Sequence, residues 1–223
     1  MKRNQSGFTL IEIAIVLVII GLLLGGVLKG QELINSAKVK NLASDFKNVP
    51  VFIYGYQDKF KALPGDDSTI GTANTHVTGG TACAPLAANL CATGNGIIDG
   101  NWNASDITSE SYVFWQHVRL AGLAPGPTAT GAADYPPLNA VGGRIGITNA
   151  GANLPVTNLK GSYIICSDGI AGKFAKQLDT TLDDGNTATG SLMVTAAGTA
   201  TAGAAVATAA IVDDTTYLVC MGV

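Results

Sequence analysis

A single carboxylate, Glu12, lies inside a long apolar run near the start of this 223-residue sequence. The run extends from Phe8 to Leu28. As a helix it measures about 31 Å, close to the hydrocarbon thickness of a bilayer. A charged residue in such a span costs about 2.5–3.5 kcal/mol on insertion scales, so a functional partner is expected for it. The first chemistry that the sequence indicates is therefore ion pairing by Glu12.

The residues around Glu12 form a recognisable signal. Lys2 and Arg3 belong to a short basic leader that ends at Gly7, and the sequence Phe-Thr-Leu-Ile-Glu follows. This arrangement resembles the N terminus of type IV prepilins and of the pseudopilins of type II secretion. The resemblance implies that a membrane prepilin peptidase cuts after Gly7 and methylates the new N-terminal residue, Phe8.

Two other kinds of N-terminal segment share some of these features. An ordinary secretory signal has an apolar stretch of about 7–15 residues and a small-x-small cleavage site, and neither feature fits. A plain membrane anchor accounts for the length of the run but gives no reason for Glu12.

Glu12 has a physical role if several copies of the helix form a bundle. Cleavage after Gly7 creates an amino group on Phe8, and a neighbouring copy displaced along the filament axis would place its Glu12 beside that amine. The pair compensates two charges in a medium of low dielectric constant and penalises wrong axial registers. We therefore expect Glu12 to specify assembly more than it stabilises the single chain.

The composition favours a structural subunit over an enzyme or a nucleic-acid-binding protein. Only 13% of the residues are charged, 28 are glycine, and the net charge is −3, so a basic footprint is absent. The sequence contains two histidines and no phosphate loop, dinucleotide fingerprint or catalytic triad pattern. The basic leader is expected to stay on the cytoplasmic side, which sends the C-terminal domain outward.

Four cysteines are available for disulfide bonds in that oxidising exterior, and three connectivities are possible. We favour Cys83 with Cys91, which closes a short Ala-rich loop. The other pair is then Cys166 with Cys220, which joins two strand-like runs. A zinc site is the alternative, but CxxC spacing is missing and His76 and His117 show no ligand pattern.

No cofactor is expected, and calcium is the one inorganic ligand to consider. The resemblance raises it, because pseudopilins can bind calcium in Asp-rich loops. Weak candidates are Asn95 with Asp99 and Asp183 with Asp184, which offer hard oxygens on Gly-containing turns. Neither segment matches an EF-hand loop, and Asx turns or helix capping explain both without a metal.

The apolar helix is expected to continue beyond the membrane as an amphipathic helix. Pro50 inside it removes a backbone donor and predicts a kink, and Gly55 weakens the helix. In the membrane half, four glycines permit either close helix packing or local unwinding: Gly21, Gly25, Gly26 and Gly30. The stripe that predicts the amphipathic half consists of Leu42, Phe46, Val49, Ile53, Tyr56 and Phe60.

A long Gly-, Asn- and Thr-rich loop is predicted after Ala62, followed by a helix over Glu110–Ala121. A second helix is predicted from Ile170, Phe174 and Leu178, ending before Asp183. Short β-branched or aromatic runs predict an antiparallel sheet. Its strands are Arg144–Ile147, Ser162–Cys166, Leu192–Thr195 and Thr216–Met221.

These patterns predict an α+β, pilin-like fold in which a long N-terminal helix packs on a C-terminal antiparallel sheet. The expected organisation is a leader (1–7), a transmembrane or filament-core helix (8–28), an amphipathic helix half (29–61) and a globular domain (62–223).

The function this implies is a structural subunit of a type IV pilus-like filament for adhesion, motility or DNA uptake. A type II secretion pseudopilin and a filament-tip adhesin are the alternatives. Expected partners are other pilin copies, the prepilin peptidase and the inner-membrane assembly platform. The chain would begin in the bacterial inner membrane as a single-pass prepilin and end in an extracellular pilus or a periplasmic pseudopilus.

Overall fold

The computed structural model describes residues 9–83, 91 and 94–223. The chain divides into two compact units, the first ending at Lys38 and the second beginning at Val39. In chain order, its elements are α1 (Leu10–Phe60), α2 (Glu110–Leu120), β1 (Ile145–Asn149), β2 (Tyr163–Ala171), α3 (Gly172–Leu182), β3 (Leu192–Ala196), a 3₁₀ turn (Thr208–Ala210) and β4 (Thr216–Gly222). A long N-terminal apolar helix and a four-stranded antiparallel sheet confirm the predicted α+β class.

The part of α1 in the second unit carries the predicted apolar stripe. Leu42, Phe46, Ile53 and Tyr56 are fully buried, and Val49 is nearly so. They belong to the main hydrophobic core, together with side chains of α2, α3 and the sheet. Pro50 lies inside α1 without ending it. Spacings of three and four residues thus placed one face of this helix half in the core.

The strands form one antiparallel sheet in the order β1-β2-β4-β3. All four begin within one residue of their predicted starts. The prediction for Ile170 is wrong: it lies in β2, opposite Tyr217 of β4, and α3 begins two residues later at Gly172. An irregularity in the pairing between Ser167 and Ile170, where Gly169 has φ +70°, allows β2 to continue past its predicted end.

Both faces of the sheet are covered. Ile165 faces the main core, whereas its neighbours Ile164 and Cys166 lie in a second apolar cluster, as expected from the alternation of side chains along a strand. Trp102 from the long loop packs in this second cluster and donates its indole N–H to the carbonyl of Thr199 at 2.8 Å. The loop after α1 therefore supplies part of the protein interior.

Candidate functional site

The start of α1 is held by a reciprocal pair of hydrogen bonds between Thr9 and Glu12. Glu12 Oε2 accepts from the Thr9 backbone N–H at 2.8 Å and from the Thr9 hydroxyl at 2.6 Å. The Thr9 hydroxyl oxygen accepts in turn from the Glu12 N–H at 3.4 Å. This is a capping box, in which a Thr before the helix and a Glu three residues later satisfy each other's backbone donors. Glu12 thus has a partner within its own chain.

Sequence reasoning missed this local role, although the Thr-x-x-Glu spacing of residues 9–12 is its signal. The predicted pairing of Glu12 with the Phe8 amine of a neighbour stays a prediction. Gly7 and Phe8, the predicted cleavage and methylation residues, lie outside the described residues.

The segment that follows Glu12 exposes all of its large apolar side chains. From Leu10 to Leu28 each of them is between 46% and 92% exposed, and no residue of this stretch is buried. By length and composition α1 is long and apolar enough to cross a membrane. Exposed apolar surface on this scale marks a membrane or protein contact.

Glycines in this segment leave open space on the helix. A Cβ built on Gly21, Gly25, Gly26 or Gly30 meets no heavy atom within 4 Å outside the local helix backbone. The packing of the described chain therefore gives no reason for small residues here. Close approach of another helix would give one.

Both predicted disulfides are confirmed. Cys166 and Cys220 are cross-strand partners in β2 and β4, fully buried in the second apolar cluster. Cys83 is bonded to Cys91 and packs against the main core. The Cys166–Cys220 bond links the two central strands of the sheet, and the Cys83–Cys91 bond closes part of the long loop.

The calcium candidates Asn95 and Asp99 are already bonded within the protein. The Asn95 amide donates to Asp99 Oδ2 at 3.0 Å, and Asp99 Oδ1 accepts from the Asn149 amide at 3.3 Å. Asp66 organises the same turn by accepting the backbone N–H groups of Gly94, Asn95 and Gly96. Asn95 Oδ1 accepts from the Ile97 N–H at 2.8 Å, two residues further on, which is an Asx turn.

A buried acid lies beside this turn and was not singled out from the sequence. Glu110, at the start of α2, is fully buried, and its Oε2 accepts from the Asp99 N–H at 2.9 Å. Burial, helped by the charges of Asp66 and Asp99 and opposed by that hydrogen bond, raises the pKa of Glu110 to about 8. At neutral pH this carboxyl is protonated.

The other calcium candidates are joined by a residue that the sequence did not indicate. Asp183 Oδ2 accepts from the Leu192 N–H at 2.8 Å, and Asp184 Oδ1 accepts from the Asn186 N–H at 2.8 Å. One carboxylate oxygen of Asp179 lies within 4.8 Å of those of Asp183 and Asp184. Burial first, then the charges of Asp184 and Asp183, raise the pKa of Asp179 to about 6, opposed by the nearby Gly185 N–H.

The two histidines occupy hydrogen-bonded positions. His117 Nδ1 accepts from the Gly65 N–H at 3.0 Å, so its Nε2–H donates to the Thr81 carbonyl at 3.0 Å. Burial lowers the pKa of His117 and keeps the ring neutral. His76 Nδ1 lies 2.8 Å from Asp67 Oδ2, which also accepts the hydroxyl of Tyr56. Both rings thus hold the long loop against α1 and α2.

Residues 2–28 match the family model described as the prokaryotic N-terminal methylation motif. This is the prepilin-type signal of type IV pilins and pseudopilins. No curated protein and no solved structure matches the chain. The motif implies processing by a prepilin peptidase and assembly into a filament, and it supports a pilin or pseudopilin, a class of structural subunit that is typically not an enzyme.

Proposed function

We propose that this chain is a subunit of a type IV pilus-like filament, made as a membrane prepilin, cut after Gly7 and methylated on Phe8. The observation that carries the proposal is the helix segment Leu10–Leu28, whose apolar side chains are exposed all round and interrupted by one carboxylate. Such an apolar surface is buried by lipid while the chain is in the membrane, and by the same surface of other copies once the filament has formed. The open glycine positions support close contact between those copies.

Glu12 has two partners in this scheme, one before and one after assembly. In the single chain its carboxylate bonds to Thr9, which lowers the cost of carrying it in a membrane. Its second oxygen, Oε1, makes none of these bonds with Thr9 and is the atom we assign to the Phe8 amine of a neighbouring subunit. The proposed partners are other copies, the prepilin peptidase and the inner-membrane assembly platform.

The experiment compares Glu12→Ala with two controls in the intact chain, expressed with its own assembly system. We expect Glu12→Ala to insert normally while the yield of filaments falls at least about tenfold, because the pairing that selects the axial register is lost. Glu32→Ala removes an acid from the same unit, one that pairs with Lys29 at 2.5 Å, and should leave the yield unchanged. Thr9→Val removes only the hydroxyl of the capping pair.

Equal filament yields from wild type and Glu12→Ala would contradict the proposal. If Thr9→Val reproduced the whole loss, Glu12 would act as a helix cap and not as a contact between subunits. Mass spectrometry of the filaments checks the processing: we expect a chain that starts at Phe8 and carries one added methyl group.

A second experiment distinguishes a pilus from a secretion pseudopilus. Filaments shed from cells at native expression levels support the pilus that we propose, with a role in adhesion, motility or DNA uptake. Deletion of the gene with loss of an extracellular enzyme from the medium, and with no shed filaments, would favour a type II secretion pseudopilin.

A further inference from the structure

Asp45 is an acid of α1 that has no partner in its own chain. The residue is half-buried, and no hydrogen bond or ion pair joins its carboxylate to another residue that the structure describes. Burial raises the pKa of this carboxyl to about 6. A partly desolvated carboxylate gains more from a nearby cation than an exposed one does, because water and salt screen the pair less. Asp45 is therefore suited to a cation that comes from outside the chain.

The side chain of Asp45 lies at an apolar groove between α1, α2 and the loop that leads to β1. The groove has a volume of about 200 Å³, and Phe52, Trp115 and Leu138 line it. Arg119 lines it too, but its guanidinium donates to three carbonyls of the loop and forms no ion pair with Asp45. An acid beside apolar walls fits a lysine, whose methylene stem packs on apolar surface while its ammonium group pairs with the acid.

The opposite side of α1 carries lysines of this kind. Lys40 and Lys47 are exposed, and neither side chain forms an ion pair within the described ranges. They are seven residues apart, so they share one face of the helix, and that face is turned by about 200° from Asp45. Val51 and Tyr54 continue the same face and are 64% and 57% exposed. We call these four residues the outer ridge.

The groove and the outer ridge are complementary in charge and in polarity. Five large apolar side chains are exposed after residue 39 in the described part of the chain, and three of them, Val51, Tyr54 and Leu138, belong to these two surfaces. The two surfaces lie on opposite sides of one helix, so they can meet only between two copies. A contact between two different surfaces is heterologous, and its repetition adds copies in one direction, as a filament requires.

We propose that Lys47 on the outer ridge of one copy enters the Asp45 groove of the next copy. The inference rests on the proposed function, because it adds a second contact to a filament built on Leu10–Leu28. That segment is apolar and exposed all round, so its own packing selects a rotational position only weakly. A charge pair has a defined position, and such pairs contribute specificity more than affinity. The pair thus selects which faces of neighbouring copies meet.

The first test reverses the two charges in the full chain, expressed with its own assembly system. We expect Asp45→Lys and Lys47→Glu each to lower the filament yield at least about fivefold, because like charges then meet. The combined variant Asp45→Lys/Lys47→Glu restores an opposite pair and should recover at least about half of the wild-type yield. Asp214→Lys makes the same change of charge at an exposed acid outside both surfaces and should leave the yield unchanged.

Cross-linking tests the direction of the contact. All four native cysteines are in disulfides, so only introduced thiols react. Filaments of Asp45→Cys/Lys47→Cys, treated with a short bifunctional thiol reagent, should give a ladder of covalent oligomers, because each copy offers one thiol to the copy before it and one to the copy after it. Within one copy the two positions lie on opposite sides of α1 and are not bridged. Each single cysteine variant should give no covalent product.

Three results overturn this inference while leaving the proposed function intact. They are wild-type yields from both single charge reversals, no recovery in a combined variant that folds, and covalent products of Asp45→Cys alone, with a second copy or with another protein. Wild type that forms no filaments would contradict the proposed function itself. Unfolding of each variant is followed in parallel. Lys47 is exposed, so Lys47→Glu stays informative even if Asp45→Lys does not fold, and Asp45→Asn, which keeps the shape of the side chain, should then lower the yield at least about twofold.

Discussion

Between Leu10 and Lys38 the helix α1 has no buried side chain, whereas between Val39 and Phe60 seven of its residues are buried. The backbone conformation is the same in both parts, and both are rich in apolar residues. The difference lies in what covers them: the second part is covered by α2, α3 and the sheet, whereas the large apolar side chains of Leu10–Leu28 are exposed. Helix formation and burial are thus separate outcomes of one continuous sequence, and an uncovered apolar helix predicts a partner outside the chain.

The largest contrast is expected from matched apolar truncations in the two parts. Phe46→Ala should lower the free energy of unfolding by about 3–5 kcal/mol, because it leaves a cavity in the core. Leu17→Ala, at a side chain that is 64% exposed, should change it by less than about 0.5 kcal/mol. Denaturant unfolding of the full chain in detergent, followed by fluorescence of the buried Trp102 and Trp115, measures both. Similar losses at the two positions would remove the distinction between the two parts.

A second test compares the two disulfide bonds of the unit that begins at Val39. Cys220→Ser opens a bridge between residues 54 apart, and loop entropy gives a loss of about 4 kcal/mol. Cys83→Ser opens a bridge between residues 8 apart, for which the same relation gives about 2.5 kcal/mol. The two unfolding free energies, measured without reductant, check the order. A larger loss from Cys83→Ser would show that the long loop contributes more to the fold than the centre of the sheet does.

The smallest effect is a pH dependence of stability that arises from the buried Glu110. The pKa of Glu110 is raised to about 8 in the folded chain from about 4.5 when unfolded, so the folded state holds one more proton between these values. Stability should therefore fall as pH rises from 6.5 to 8, by at most about 1.4 kcal/mol per pH unit. His117, whose pKa burial lowers, acts in the opposite direction but only below about pH 6.5.

Glu110→Gln keeps the shape of the side chain and should abolish this slope. Asp106→Asn alters an acid whose pKa is lowered by its Thr108 hydrogen bonds, and should leave the slope intact. Urea unfolding at pH 6.5, 7.2 and 8 measures it. A wild-type stability that stays flat over this interval would mean that Glu110 is already charged in the folded protein.

Features set by local sequence were predictable, and features set by distant contacts were not. The spacings of Leu42, Phe46 and Ile53 gave the buried face of α1, because helix periodicity alone decides which side chains share a face. Ile170 was assigned to a helix because it lies four residues before Phe174. Its true place in β2 depends on pairing with Tyr217, 47 residues away by number, which no local period encodes.

The acidic residues show the same limit of prediction from local sequence. The run Asp183-Asp184-Gly185 is visible in the sequence, but Asp179 looks like any polar residue on a helix. Its burial results from the packing of α3 against the sheet and is evident only in three dimensions. Glu110 was likewise read only as the start of a helix, although it is fully buried.

The strand order has a consequence for how the protein is made. β4 lies between β2 and β3, so among the described strands β3 pairs only with β4, which is residues 216–222. During synthesis the chain must hold β3, which is almost entirely apolar, in an unpaired state while β4 emerges. Such non-local pairing delays folding and leaves an aggregation-prone edge exposed. We therefore expect the sheet to close only after β4 has been synthesised, with the Cys166–Cys220 bond formed as one of the last covalent events.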